Sequence, residues 1–417
     1  MLEQKIGQEK AAWLREKMQT FLTELVAIRS YSNEELEACQ YALEKFQEIP
    51  GVIVQKLEMD NRIQQDPLWC PGPIGGNDYT GHFNLEIRWA GTGEQKPIYL
   101  NAHIDTVFAS KGDENLLHPT VDGDILYGLG ACDDKGGIAV IYMVFWLLSL
   151  QGKRLPFDVV GHIVVEEEIG GNGALWVARH PMEGQAAIVM EPTDEMIQPA
   201  HRAGLWLKME CEGVSTHTAA MHQTGLSGFE LALRAIERLR EMHAAYREEC
   251  RKNPPQYYED YLPVFNVGMF HTGEWPATVP RRAVVHCSVG VLPNLHTADM
   301  KQRIADALQA DEALRGRVHC SYVFERDWSV LDFSHPLVTE FAACVRENGM
   351  KGGVEAMKCL SDKYFYQEML GIPTINFGPG EIRHAHSGSE QVRFSQVTAC
   401  ANSIHDFLGK RAQKGQG

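Results

Sequence analysis

Two rhythms of apolar and polar positions run along the chain. The stretches "MLEQKIGQEKAAWLREKMQTFLTELVAIRS" (1–30) and "EELEACQYALEKFQEI" (34–49) carry apolar residues at helical spacing. "VIVQKLEM" (52–59) reads as a strand, "HFNLEIRW" (82–89) alternates with period two, and "KPIYLNAHID" (96–105) is an apolar strand ending in polar residues. The run "IAVIYMVFWLLSL" (138–150) is apolar on every side and predicts a buried helix over 136–150. Its 13 residues are too few to cross a bilayer. A buried strand through 163–165 and "AAIVMEPTD" (186–194) follow. Strands alternating with helices predict an α/β fold with a mixed, largely parallel sheet flanked by helices.

Near residue 200 the pattern changes. "GLWLKMECEGV" (204–214), a long helix over 227–252, "FNVGMFHTG" (265–273), "RAVVHCSVGVL" (282–292), a helix over 297–310 and "RVHCSYVFER" (317–326) give the order β-α-β-β-α-β. That order predicts a ferredoxin-like α+β unit. Helix–strand alternation resumes with "HPLVTEFAACVREN" (335–348). The expected organisation is a larger domain in two parts, 1–202 and 327–417, interrupted by an inserted domain, 203–326.

Composition narrows the partners. A net charge of −16 disfavours nucleic acid and anionic membranes. Ten cysteines without CxxC spacing, and a first segment lacking the apolar core of a signal peptide, predict reduced thiols and a cytoplasmic location.

Chemistry gathers at the predicted strand ends: His103 and Asp105, Asp133 and Asp134, Glu166 to Glu168, Glu191, then His384 and His386. Ligands of open α/β sheets bind beyond the carboxyl ends of the strands. Each segment also has a plain reading. Asp133–Asp134 suits a helix N-terminus, and three glutamates in a row suit a solvated edge. Their joint placement points instead to a cation that offsets their repulsion. A histidine and carboxylate set without cysteine suits Zn²⁺, Mn²⁺ or Co²⁺ better than Ca²⁺ or Mg²⁺.

"HIDT", "GLGACDDKGG", "VEEEIGG", "MEPTD" and "GPG…HAHSGSE" together resemble the ordered motifs of the co-catalytic di-zinc amidohydrolase family. That family includes acetylornithine deacetylase, succinyl-diaminopimelate desuccinylase, aminoacylase and bacterial glutamate carboxypeptidase. The resemblance implies a zinc-exopeptidase-like fold holding two Zn²⁺, with Co²⁺ or Mn²⁺ as substitutes. It implies His103, Asp133, Glu168, Glu191 and His386 as metal ligands, with Asp133 bridging and a cis peptide after it. It gives Asp105 the task of orienting His103, and Glu167 that of general base. Asp134 and Glu166 stand where the family has other residues and are not counted as ligands. His384 fails the H-x-x-x-E spacing that joins His386 to Glu390. The resemblance also implies that 1–202 and 327–417 form the catalytic domain and 203–326 a lid and dimerisation domain. His217, in "GVSTHTA", resembles a lid histidine that reaches the site of a partner subunit, which implies a homodimer through the lid.

One departure stands out. Gly290 occupies the position where the family places a carboxylate-binding arginine, so carboxylate capture is either absent or done by another group such as Arg202, Arg281 or Arg282. The expected activity is hydrolysis of the amide of an N-acyl amino acid or similar small conjugate by a metal-activated water. The alternative is a carboxypeptidase or dipeptidase using the same site. A non-catalytic binding protein, and a hydrolase using Cys132 as nucleophile, are the readings from other classes.

Overall fold

The computed structural model describes residues 2–73 and 75–414. Among them, the main sheet has nine strands. Val159–Val164, Ile98–His103, Ala186–Val189 and Thr374–Asn376 lie side by side at its centre and run parallel. Antiparallel strands extend both flanks: Phe83–Trp89 and Val52–Glu58 on one side, Ile197–His201 and Ser329–Val330 on the other. The fold is thus mixed α/β, with its parallel portion in the middle.

The central strands are buried along their whole length, as parallel strands covered on both faces must be. Helix Lys135–Gln151 covers one face. It is buried from Lys135 through Leu148, which accounts for its lack of a polar side. Helices Gln8–Ala27 and Phe394–Lys414 pack against it. Phe21 stacks on Tyr142 at 4.2 Å, and Phe46 meets Phe145 edge-on at 6.3 Å. No helix among the described residues is long and apolar enough to cross a membrane.

Residues 203–326 contain a second, four-stranded antiparallel sheet in the order Phe265–Thr272, Arg282–Val291, Ala203–Glu212, Val318–Arg326. Helices Gly228–Lys252 and Thr297–Gln309 pack on one face of it and enclose a separate core. Burial alternates along Ala203–Glu212, with Leu205, Leu207, Met209 and Cys211 facing the helices. This is the ferredoxin-like order expected from the sequence.

The structure adds elements that the periodicity does not announce. The first helix is broken at Gly7, whose φ of 84° separates Leu2–Ile6 from Gln8–Ala27. Thr120–Asp122 and Ile125–Tyr127 form a small sheet with Gln391–Arg393. Strands of three residues carry too little alternation to be read.

The central helix should behave as the keystone of the large core. Phe145→Ala is expected to cost about 3–5 kcal/mol, read as a lowered urea midpoint; an unchanged midpoint would place the core's anchor elsewhere.

Candidate metal centre

Parallel pairing decides what meets at the carboxyl edge. His103 ends strand Ile98–His103 and pairs in register with Val164, the last residue of the neighbouring strand. The chain beyond Val164 therefore lies beside the chain beyond His103. Asp105 and the glutamates are thrown together by this register.

Asp105 is completely buried. One carboxylate oxygen accepts the Glu167 N–H at 3.0 Å. The other accepts the Glu168 N–H at 3.1 Å and the Ser32 hydroxyl at 2.9 Å. The carboxylate also sits 3.3 Å from His103 Nδ1, and the Asp105 carbonyl oxygen lies 3.1 Å from the same nitrogen. With Nδ1 occupied, Nε2 is turned to Asp133 Oδ1, 3.0 Å away. One side chain so orients the imidazole and fixes the start of the glutamate turn.

Asp133 lies just before helix Lys135–Gln151, and the Asp133–Asp134 peptide is cis, as expected. Glu390 holds this turn: its Oε1 accepts the N–H groups of Cys132 and Asp133, each at 3.2 Å. Cys132 is fully buried, and desolvation pushes its thiol well above the usual range. A buried neutral thiol is a poor nucleophile, so the geometry gives the cysteine-hydrolase reading no support.

Two sets of three potential ligands result. Ligand atoms of His103, Asp133 and Glu191 lie within 4.8 Å of one another, and so do those of Asp133, Glu168 and His386. Asp133 belongs to both. His386 Nε2 is 3.0 Å from Glu168 Oε1 and 3.4 Å from Asp133 Oδ2. Glu191 follows the third central strand, and the last loop presses on it: a Cβ on Gly378 would come within 2.6 Å of the Glu191 carbonyl oxygen.

The electrostatics call for a cation. Glu191 is 4% exposed, and its Oε1 has no hydrogen-bond partner among the described residues. Desolvation, reinforced by the charges of Glu167 and Asp133, pushes its carboxyl well above the usual range. Glu167 is pushed up in the same way by desolvation, with Asp362, Glu168 and Asp105 adding to it against His103. Glu168 in turn drives His386 up to about 12. Buried carboxylates with orphaned oxygens beside two imidazoles are a donor set that fits divalent metal.

Glu167 is half-buried and belongs to neither set of ligands. The turn that carries it begins with a φ of +57° at Glu166, a left-handed conformation costing on the order of 1–3 kcal/mol. Glu166 is completely buried and secured by Tyr79, Asn77 and Asn172. His384 lies outside the cluster, 3.4 Å from Gln391. His162 is packed between Tyr99 and Tyr366.

His217 stands apart from both sets. It is exposed and caps the turn Thr218–Ala220, accepting the Ala219 N–H at 3.1 Å. Arg282 is tied to Glu210 on the second sheet. Arg202 lies between the two sheets, donating from Nε to the Lys358 carbonyl at 2.7 Å and from Nη1 to the Ala203 carbonyl at 2.9 Å. A Cβ on Gly290 would stand 3.4 Å from that Nη1. Sequence reasoning missed Asp362, which is 1% exposed with both carboxylate oxygens unpartnered among the described residues. Desolvation raises it to about 7. Nothing in "LSDKYF" marks it.

Residues 99–410 match the profile of Peptidase family M20/M25/M40. The chain belongs to this family. It is accordingly a metallo-amidohydrolase with a candidate metal-binding cluster. An N-formyl-4-amino-5-aminomethyl-2-methylpyrimidine deformylase of Bacillus subtilis (strain 168) is 22% identical over 357 residues, covering 79% of this chain and 83% of its own. An acetylornithine deacetylase of Aliivibrio salmonicida (strain LFI1238) is 25% identical over 340 residues, covering 79% and 85%. The fold is shared with the di-peptidase Dug1p of Saccharomyces cerevisiae at a TM-score of 0.78 and 13% identity, over 99% of this chain and 98% of that one.

Asp105→Asn removes charge from the group that orients His103 while keeping its shape. Metal affinity measured by chelator competition should fall about 10–100-fold; an unchanged affinity would contradict the role given to Asp105.

Proposed function

We propose that this enzyme hydrolyses the amide bond of an N-acyl amino acid or a similar small conjugate. The observation that carries the reading is Asp133, which belongs to two sets of ligands while Glu167 stays free beside them. His103, Asp133 and Glu191 would hold one ion and Asp133, Glu168 and His386 the other, with Zn²⁺ as the resident metal and Co²⁺ or Mn²⁺ as substitutes. When bound, such ions polarise the scissile carbonyl and lower the pKa of the attacking water.

The chain's own groups do the rest. Glu167 accepts the proton of the attacking water and passes it to the leaving nitrogen, so that the amine departs neutral. Its raised proton affinity suits a group that must gain and then lose a proton. Asp105 keeps the backbone of Glu167 fixed during both transfers. His217 would donate to the oxyanion from a second copy; on its own chain it is exposed and belongs to neither set of ligands. The active form is then a homodimer, joined through residues 203–326 acting as an inserted lid domain.

Arg202 takes over the recognition of a substrate carboxylate. Two backbone carbonyls anchor its Nε and Nη1, leaving the Nη2 side of the fork for a ligand. Gly290 packs closely beside it, since a Cβ there would stand 3.2 Å from the Val264 nitrogen and 3.4 Å from Arg202 Nη1. Ten unpaired cysteines are in keeping with the reducing conditions of the cytoplasm.

Release of free amine from a panel of N-acyl amino acids and dipeptides, with Zn²⁺, Co²⁺ or Mn²⁺ supplied, tests the reading. Faster turnover of the N-acyl amino acids supports it, and faster turnover of dipeptides assigns the site to a dipeptidase. Stoichiometric metal with no hydrolysis would make the chain a binding protein. Glu167→Gln should retain metal while kcat falls about 10²–10⁴-fold; near wild-type turnover would remove Glu167 from the mechanism. Arg202→Met should raise KM about tenfold or more for carboxylate-bearing substrates, the loss of one charge-assisted hydrogen bond, with kcat little changed. Equal KM values would refute the role of Arg202.

A further inference from the structure

Arg326 is the last residue of strand Val318–Arg326, where the chain leaves the small sheet, and it is 3% exposed. Its guanidinium lies 4.5 Å from the ring centroid of Phe365 and 5.4 Å from that of Tyr364. Nη2 donates to the Gly170 carbonyl at 2.6 Å and also reaches the Leu68 carbonyl at 3.2 Å and Cys70 Sγ at 3.7 Å. Nη1 has no partner among the described residues. Asp362, the unpartnered carboxylate described above, feels the charge of Arg326 as a lowering influence.

Gly170 belongs to the turn that carries the glutamates. Its N–H returns to the Glu167 carbonyl at 3.0 Å, and the Gly171 N–H reaches the Glu166 and Glu167 carbonyls at 2.8 and 3.1 Å. The turn fits without slack. A Cβ on Gly170 would come within 2.3 Å of Cys70 Cβ, and one on Gly171 within 2.4 Å of a Phe365 ring carbon. The front of the turn is held by Asp105 from the parallel sheet. Its rear is held by Arg326, from the end of the other unit.

We propose that Arg326 is a positioning residue for Glu167, carrying the seating of the 203–326 unit into the glutamate turn through the Gly170 carbonyl. This rests on the reading of Glu167 as the general base. Arg326 touches no reacting atom. It fixes the peptide on which Glu167 is mounted, and the Phe365 and Tyr364 rings fix the plane of its fork. Orientation of the small unit thereby becomes a variable of the catalytic turn.

Arg326→Met keeps the length and apolar contact of the side chain and removes its donors. Arg326→Lys keeps the charge and loses the fork. Hydrogen exchange of the peptide covering 164–173 should be about tenfold faster in Arg326→Met, with the central-strand peptide 98–103 unchanged and Arg326→Lys intermediate. With metal content equal, kcat should fall about tenfold at unchanged KM, as the loss of one charge-assisted hydrogen bond acting in the transition state gives. Unchanged exchange at 164–173 overturns the proposal. So does faster exchange throughout both cores, which would make Arg326 a general packing residue, or a loosened turn with wild-type kcat. Should the wild type hydrolyse neither N-acyl amino acids nor dipeptides, the proposed substrate class fails, while the exchange comparison still decides whether Arg326 seats the turn.

Discussion

Carboxylates delivered to one edge of a parallel sheet repel one another, and most of the local structure here serves to hold them together. Asp133, Glu167, Glu168 and Glu191 come from three separate segments, yet register places them at one mouth. Desolvation makes each negative charge costly unless a positive charge accompanies it. His103 and His386 supply part of that charge, and the orphaned oxygen of Glu191 shows that they do not supply enough. The site is therefore a frame built for cations, and its rigidity comes from side chains that are not themselves ligands.

Those supporting groups divide the labour. Asp105 ties the imidazole of one strand to the backbone of the next. Glu390 secures the turn before the central helix, and that helix is buried deeply enough to act as a fixed wall. A left-handed Glu166 opens the turn that carries both following glutamates, of which Glu168 belongs to a ligand set and Glu167 to neither.

Much of this was legible in the sequence. The 3.6-residue and two-residue periods located the main helices and strands, and the β-α-β-β-α-β order of the second unit matches its sheet. The polar residues at strand ends marked the cluster, because a strand must stop where its chain turns toward a ligand. The family's H-x-x-x-E pattern selected His386 over His384, and the structure places His386 in a ligand set and His384 in neither. The supporting shell was harder to read. Arg326 reaches Gly170 across 156 positions of chain, and Asp362 sits in a stretch without periodicity. The three-residue strand Gln391–Arg393 depends on a partner far away in sequence, Ile125–Tyr127. Contacts of that kind leave no local pattern, so neither the rear clamp of the glutamate turn nor the unpartnered aspartate could be anticipated.

Metal stoichiometry tests the shared role of Asp133 most directly. Purified protein loaded with Zn²⁺ and freed of excess should hold two ions per chain by elemental analysis. His386→Ala should leave one, and Asp133→Ala should lose both. A wild-type protein that retains no transition ion, or an Asp133→Ala variant that still holds two, would contradict the account.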